Sequence, residues 1–200
     1  SSAGTVPDPL LLKDSTSWLA KANPASCNIP QASSNDYVST FVSSMNDCYE
    51  KLVNENSDEL YNGFLVYRTT LGQDKQPTGT LDGKFIIVID ASITSSALAI
   101  PPTTSSSVVM LYLPNGVSEI KGAQADASSA VYNYFIYSNG DINQIYSING
   151  TIQGSIFMAN CHKLGQMQGS IKANYSATVV QGLADAGFVK QNPKYGSNSS

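Results

Sequence analysis

Charged side chains are scarce in this sequence, and arginine is almost missing. Asp, Glu, Lys and Arg together make up 13% of the 200 residues, about half the usual share. Arg68 is the single arginine, and the formal net charge is −4. Because a nucleic-acid-binding domain needs clustered basic residues to contact phosphates, we predict no nucleic-acid partner.

One histidine and three cysteines leave little material for catalysis or metal binding. His162 directly follows Cys161, and neighbours on a strand point to opposite faces, so the two are poorly placed to act as a Cys–His pair. The cysteine spacing matches no zinc site, and no EF-hand loop or glycine-rich phosphate loop is present. The sequence therefore predicts no catalytic residue, no metal site and no cofactor.

An enzyme that cleaves polysaccharides is the alternative that the carboxylates leave open. Such an enzyme needs paired acids in a groove, or a calcium site with a nearby base. The acids between residues 61 and 175 are scattered along the sequence: Asp74, Asp82, Asp90, Glu119, Asp126 and Asp141. Asp90 and Asp141 follow strand or turn patterns and are interpreted as turn formers.

Long apolar runs are also missing, since no stretch approaches the ~20 residues that span a bilayer. Polarity comes from Ser, Thr, Asn, Gln and eleven Tyr, a composition typical of extracellular and cell-surface proteins. We predict a disulfide between Cys27 and Cys48, with Cys161 left over; three reduced, buried cysteines are the alternative.

The first 60 residues are predicted to form a wrapping segment and a capping helix. Residues 1–34 contain four prolines and little periodicity, with one short helix near Ser15 to Ala22. Residues 36–54 carry an amphipathic helix, because apolar residues recur every three or four positions. This stripe consists of Tyr37, Phe41, Met45, Cys48 and Leu52.

From residue 61 to residue 190 the pattern changes to β-strands. Short runs rich in Val, Ile, Tyr and Phe are separated by Gly, Pro, Asn and Ser clusters. The runs are Phe64–Thr69, Lys84–Asp90, Val108–Leu113 and Tyr132–Ser138. Several of them are apolar at consecutive positions, which indicates strands that are covered on both faces.

Regular spacing favours a parallel β-helix, a solenoid, for this region. Ile87, Leu111 and Phe135 are 24 residues apart, and Ile156 follows 21 residues later, steps that suit one coil. Residues 150–156 and 165–171 also match at five of seven positions. We expect Ile156 and Ile171 to stack in successive coils; the alternative is an antiparallel β-sandwich or jelly roll.

Residues 176–187 predict a short C-terminal capping helix, and residues 191–200 predict a flexible tail. An apolar stripe of Val179, Val180 and Leu183 lies between a capping Ser176 and a terminating Gly187. Together with the helix at 36–54, this helix would cover the exposed ends of a solenoid.

The last third of the chain resembles the glycine-punctuated β-solenoid tails of bacterial cell-surface and pilus-associated proteins. The resemblance rests on "YFIYSNGDI", "INGTIQGSIFMAN" and "QGSIKANYSATVVQGL", between Tyr134 and Val189. It implies display at the cell envelope, adhesion or assembly, and it transfers no catalytic residue to this chain.

These observations predict an extracellular, non-enzymatic structural or adhesive protein that presents a β surface to a glycan or a protein partner. A self-assembling fibre or pilus subunit, whose partner is another copy of itself, is a further alternative. Tyrosine rings suit sugar faces and protein interfaces, although several of these tyrosines are also candidates for buried strand positions. The predicted binding residues are Tyr112, Tyr132, Tyr134, Tyr137 and Tyr146.

Overall fold

A computed structural model shows a mainly β protein with one long helix. It describes residues 5–7, 16–91, 97–122, 130–146, 150–153, 155–158, 164–167, 171–174, 181, 182, 184, 185, 187 and 189–191. The helices are α1 (Thr16–Leu19) and α2 (Tyr37–Asn54). None of the described helices is both long enough and apolar enough to cross a membrane.

Fourteen strands are described. They are β1 (Thr5–Pro7), β2 (Leu65–Thr69), β3 (Lys84–Ile89), β4 (Ala97–Ala99), β5 (Val108–Leu113), β6 (Val117–Lys121), β7 (Ala130–Tyr132), β8 (Tyr134–Ser138), β9 (Ile142–Tyr146), β10 (Gly150–Gln153), β11 (Ser155–Met158), β12 (Leu164–Met167), β13 (Ile171–Asn174) and β14 (Val189–Gln191). The strand at 108–113 has the predicted bounds, and the run at 132–138 is divided at Asn133.

Parallel pairing dominates the sheets. The largest sheet has five strands in the order β11-β8-β5-β3-β2, the next has the order β12-β9-β6-β4, and a third has the order β13-β10-β7. All neighbours in these three sheets are parallel, whereas β1 and β14 form an antiparallel pair. The alternative of an antiparallel sandwich or jelly roll is therefore wrong.

The prediction of a parallel β-helix also requires correction. In the described part of the chain the strands form separate sheets, and no sheet closes or curls into a solenoid. Ile156 pairs with Ile136 in the five-stranded sheet, whereas Ile171 pairs with Gly150 in the three-stranded sheet. The 15-residue repeat misled because similar motifs serve different sheets, whose parallel neighbours lie 20 or more residues apart. Gly154 and Gly169, the expected corners, lie outside the described residues.

The five-stranded sheet is covered on both faces, as the consecutive apolar residues predicted. Along β5, Val109, Leu111 and Leu113 contribute to a large inner core. The alternate residues Val108, Met110 and Tyr112 join an outer cluster with Trp18 of α1. Because successive side chains of a strand point to opposite faces, burial on both faces requires an unbroken apolar run.

Helix α2 packs its predicted stripe onto the inner core. Tyr37, Phe41, Met45, Cys48 and Leu52 are all buried. The Phe41 ring meets the Tyr67 ring of β2 edge-on, with centroids 5.0 Å apart, and Tyr49 lies 5.4 Å from Phe85. Aromatic pairs in such arrangements add to the free energy of burial, so the helix is fixed beside β2 and β3.

The predicted C-terminal capping helix falls mostly outside the described residues. Positions 181, 182, 184 and 185 are helical, which agrees with a helix in this part of the sequence. Gly182 lies against Val108, since a Cβ atom at this glycine would come within 2.7 Å of a Val108 methyl group. The tail at 192–200 is likewise outside the described residues.

Replacement of Leu111 by alanine is expected to lower the free energy of unfolding by about 2–5 kcal/mol, because it leaves a cavity in the inner core. Leu111 is 1% exposed, whereas Leu71 is 46% exposed. Leu71→Ala is therefore the matched control, with an expected change within about 0.5 kcal/mol. Urea denaturation measures both values. Equal effects of the two substitutions would contradict the inner core as described.

Candidate functional site

The predicted tyrosines lie in the core and divide between opposite faces of the five-stranded sheet. Tyr132 and Tyr134 are fully buried in the inner core, with ring centroids 6.4 Å apart. Tyr112, which is 7% exposed, and the buried Tyr137 lie in the outer cluster, 5.6 Å apart. These four rings are packed against other core residues and present no open face for a ligand. Tyr146 ends β9, and its side chain lies outside the described part of the chain.

Backbone carbonyls of prolines satisfy two of the buried tyrosine hydroxyls. The Tyr134 hydroxyl donates to the carbonyl of Pro101 at 2.8 Å, and the Tyr67 hydroxyl donates to the carbonyl of Pro30 at 3.0 Å. A buried hydroxyl without a partner would cost free energy. These tyrosines therefore connect the strands to proline-containing loops, which is a structural role.

Burial raises the pKa values of these tyrosines. It raises the pKa of Tyr67 to about 12, and it raises the pKa values of Tyr37 and Tyr134 still further. Neighbouring tyrosines add to the shifts at Tyr37 and Tyr134. A charged phenolate has lost its hydration inside the core, so the neutral form is favoured.

The predicted disulfide between Cys27 and Cys48 is confirmed, with Cα atoms 5.7 Å apart. It joins the segment before α2 to the middle of that helix. Cys161 and His162, the other residues considered for thiol chemistry, lie outside the described residues.

A polar groove runs beside this disulfide, between residues 26–34 and the outer face of α2. We call it the disulfide groove. It consists of two adjacent hollows of about 240 and 330 Å³, which share Asn28 and Ser44. The remaining lining residues are Ser26, Cys27, Pro30, Ser34, Asp36, Thr40, Asp47, Cys48 and Lys51. The helix residues among them recur every three or four positions, so they share one face of α2.

Hydrogen bonds fix both walls of the disulfide groove. The Lys51 ammonium donates to the carbonyl of Ser26 at 3.1 Å, and the Ser26 hydroxyl donates to the Glu59 carboxylate. At the start of the helix, the Ser34 hydroxyl donates to the carboxylate of Asp36. With the disulfide, these contacts hold the segment against the helix, so the width of the groove is set by covalent and polar links.

Three side chains in the groove are left for an external partner. Within the described part of the chain, the Asn28 amide, the Ser44 hydroxyl and the Asp47 carboxylate make no side-chain hydrogen bond. Together they offer amide donors, a hydroxyl that donates and accepts, and carboxylate acceptors. This set suits a ligand that carries several hydroxyl groups.

A second hollow, of about 230 Å³, lies further along α2 and is acidic. Asp47, Glu50 and Asp82 line it together with Asn46, Tyr49, Val53 and Asn54. Asn46 holds the loop at this hollow, because its amide donates to the carbonyl of Thr80 and accepts from the backbone N–H of Asp82. Burial, with a smaller contribution from Asp82, raises the pKa of Tyr49. No group of three or more potential metal ligands occurs among the described residues.

The other candidate acids do not share a hollow in the described structure. Asp90 pairs with Arg68 at 2.5 Å and accepts a hydrogen bond from the Asn115 amide at 3.2 Å. The backbone carbonyl of Asp141 accepts from Val117 at a turn between β8 and β9. Asp90 thus forms an ion pair at the end of β3 in addition to the predicted turn role.

Sequence reasoning missed both the disulfide groove and the acidic hollow. The polar face of α2 was visible in the sequence as the side opposite the apolar stripe. The second wall, residues 26–34, has no periodic signal, and the predicted disulfide was the one clue that it meets the helix. Asp47 and Glu50 were overlooked because the search for acids was confined to the β region.

Comparison with protein-family models, with curated proteins and with solved structures gives no match to this chain. The resemblance to cell-surface and pilus-associated proteins therefore stays a prediction.

Alkaline solution is expected to unfold the protein through its buried tyrosines. Their folded-state pKa values are raised above the unfolded value of about 10, so their contribution to stability is complete below pH 10. It is lost as the pH rises towards about 12, the pKa of Tyr67, because the unfolded chain releases protons first. Urea denaturation across this range, with phenolate absorbance recorded in parallel, measures the decline.

The variant Tyr134→Phe tests the assignment. It should lose about 1 kcal/mol near neutral pH with the bond to Pro101, and its stability should decline less steeply above pH 10. Ionisation of all eleven tyrosines near pH 10 in a folded protein would contradict their burial.

Proposed function

We propose that this chain is an extracellular, non-enzymatic adhesive protein that binds neutral glycans in the disulfide groove. The observation that supports this most directly is the set of unengaged polar side chains, Asn28, Ser44 and Asp47, in a groove whose walls are joined by a disulfide. A protein partner at the cell surface, or another copy of the chain, is the wider class to which the same proposal belongs.

The charges of the groove favour a neutral ligand. Asp36 and Asp47 contribute two negative charges, and Lys51 contributes one positive charge that is engaged with the Ser26 carbonyl. An anionic polymer would meet net repulsion. Hydroxyl groups of a neutral sugar can instead donate to the carboxylates and accept from the Asn28 amide.

Affinity at one groove is expected to be low. The described residues that line the disulfide groove include no aromatic ring on which a sugar face could stack, so binding depends on hydrogen bonds exchanged with water. The net free energy of each such bond is small. Display of many copies on a surface raises the effective concentration of sites, which fits an adhesive role.

Binding to neutral glycans is expected to fall at least about tenfold in Asn28→Ala/Ser44→Ala, because loss of two hydrogen bonds removes roughly 1–3 kcal/mol. A glycan array probed with a multivalent form of the protein measures this. Ser105→Ala/Ser106→Ala, at exposed positions away from the groove, is the control and should bind normally. Absence of glycan binding by the parent protein would contradict the proposal.

Glycoside cleavage at the acidic hollow is a second candidate function, and the grouping of Asp47, Glu50 and Asp82 favours it. Glycosidases use two carboxyl groups that flank the scissile bond, one as acid and the other as nucleophile or base. In this chain Glu50 comes from α2 and Asp82 from the loop before β3, so the two approach a ligand from different walls of the hollow.

Release of reducing ends from neutral or uronate polysaccharides tests this second function. If it operates, Glu50→Gln and Asp82→Asn should each lower the rate at least about 100-fold, because general acid–base groups contribute at that scale. Asp74→Asn replaces an exposed acid that does not line the hollow and should keep the parent rate. Unchanged rates in the first two variants would remove the hollow as the catalytic site.

A further inference from the structure

The outer edge of β2 is the end of the five-stranded sheet in the described structure. One side of β2 pairs with β3 through its register from Leu65 to Thr69. Backbone bonds alternate along a parallel strand, so Val66 and Arg68 direct their polar groups away from β3. An edge of this kind pairs readily with another strand unless the protein covers it.

Asn23 covers this edge with both its backbone and its side chain. Its N–H donates to the carbonyl of Val66 at 2.9 Å. Its Oδ1 accepts from the N–H of Arg68 at 2.9 Å, and its Nδ2 donates to the carbonyl of Arg68 at 3.0 Å. Gln31 adds a second donor to the same carbonyl at 2.9 Å. The amide of Asn23 thus satisfies both backbone groups of Arg68, as a neighbouring strand would.

The left-handed backbone of Asn23, with φ at 56°, makes this double contact possible. Asparagine tolerates that region better than most residues, because its short polar side chain forms local hydrogen bonds. The covering segment, which we define as residues 21–31, is also fixed at other points. The Lys21 ammonium donates to the carbonyl of Leu60, the Tyr67 hydroxyl donates to Pro30, and Cys27 is linked to α2.

We propose that the covering segment blocks a latent self-association edge, and that the strand it excludes is β2 of a second copy. In an antiparallel pair centred on Tyr67, Val66 of one copy lies opposite Arg68 of the other. Each of these residues then exchanges its N–H and C=O with its partner, as in a hydrogen-bonded antiparallel pair. A two-fold axis repeats the contact on both copies, and no two Arg68 side chains are placed directly opposite each other. This inference does not depend on glycan binding.

The double variant Asn23→Gly/Gln31→Ala tests the proposal. Glycine keeps the left-handed backbone and its N–H, so the substitutions remove the three side-chain hydrogen bonds to Arg68 without backbone strain. Asn56→Gly is the matched control, since Asn56 has φ at 48° and is exposed away from β2. Hydrogen exchange of the Arg68 amide and sedimentation velocity over a concentration series are the two measurements.

In the double variant we expect exchange of the Arg68 amide to rise at least about tenfold at low protein concentration, which corresponds to roughly one net hydrogen bond. The weight-average mass should rise with concentration towards that of a dimer, while the parent protein and Asn56→Gly keep the monomer mass. A monomeric double variant with fast exchange would overturn the proposal, because the open edge would then not pair. Unchanged exchange would overturn it as well, because Asn23 and Gln31 would then not cover the edge.

Two further results are also decisive. A parent protein that dimerises as strongly as the double variant would show that the segment blocks nothing. If the double variant lost its near-ultraviolet circular dichroism, Asn23→Gly and Gln31→Ala would be measured separately. Monomers in both folded single variants would then contradict the proposal, and a dimer in either would support it.

Discussion

The two apolar faces of the five-stranded sheet set the conditions that the rest of the chain meets. Each strand of this sheet sends alternate side chains into the inner core and the outer cluster. A parallel sheet with two such faces is stable when both are removed from water. Helix α2 contributes to the inner core, and Trp18 of α1 packs in the outer cluster. The covering segment between these helices crosses the edge of β2, so the N-terminal third of the chain encloses the sheet.

Local features of this fold were predictable from the sequence because they depend on short-range patterns. The spacing of Tyr37, Phe41 and Met45 predicted α2, and consecutive Val and Ile predicted strands covered on both faces. The disulfide between Cys27 and Cys48 followed from composition and spacing. In each case one physical requirement, the burial of an apolar surface or the pairing of thiols in an oxidising compartment, leaves a readable signal.

The arrangement of sheets was less accessible, and the error has a specific origin. Ile156 and Ile171 occupy similar motifs, yet their strands belong to different sheets. A Gly-Ser-Ile motif records a turn followed by a buried residue, and a chain needs such turns wherever strands begin. Sequence similarity between two turns therefore does not identify the strands that become neighbours.

Side-chain environment also separated prediction from structure at the candidate site. Tyrosine carries a hydroxyl and a large apolar ring, so the sequence does not distinguish a ligand-binding tyrosine from a buried one. Proline carbonyls opposite Tyr67 and Tyr134 decide the question in favour of burial. The disulfide groove, in contrast, is built from Ser, Asn and Asp residues that have no periodic pattern, and it exists only once residues 26–34 lie against α2.

The position of Trp18 gives the protein an internal optical reporter of one particular event. Trp18 is the single tryptophan of the chain, and its ring meets Tyr112 edge-on, with centroids 5.7 Å apart. Tyr112 in turn lies close to Tyr137, so light absorbed by the outer tyrosines can pass to the indole by energy transfer. Tryptophan emission therefore follows the docking of α1 on the outer face of the sheet, whereas far-ultraviolet circular dichroism follows the backbone as a whole. A difference between the two signals during unfolding would separate release of the N-terminal segment from loss of the sheet.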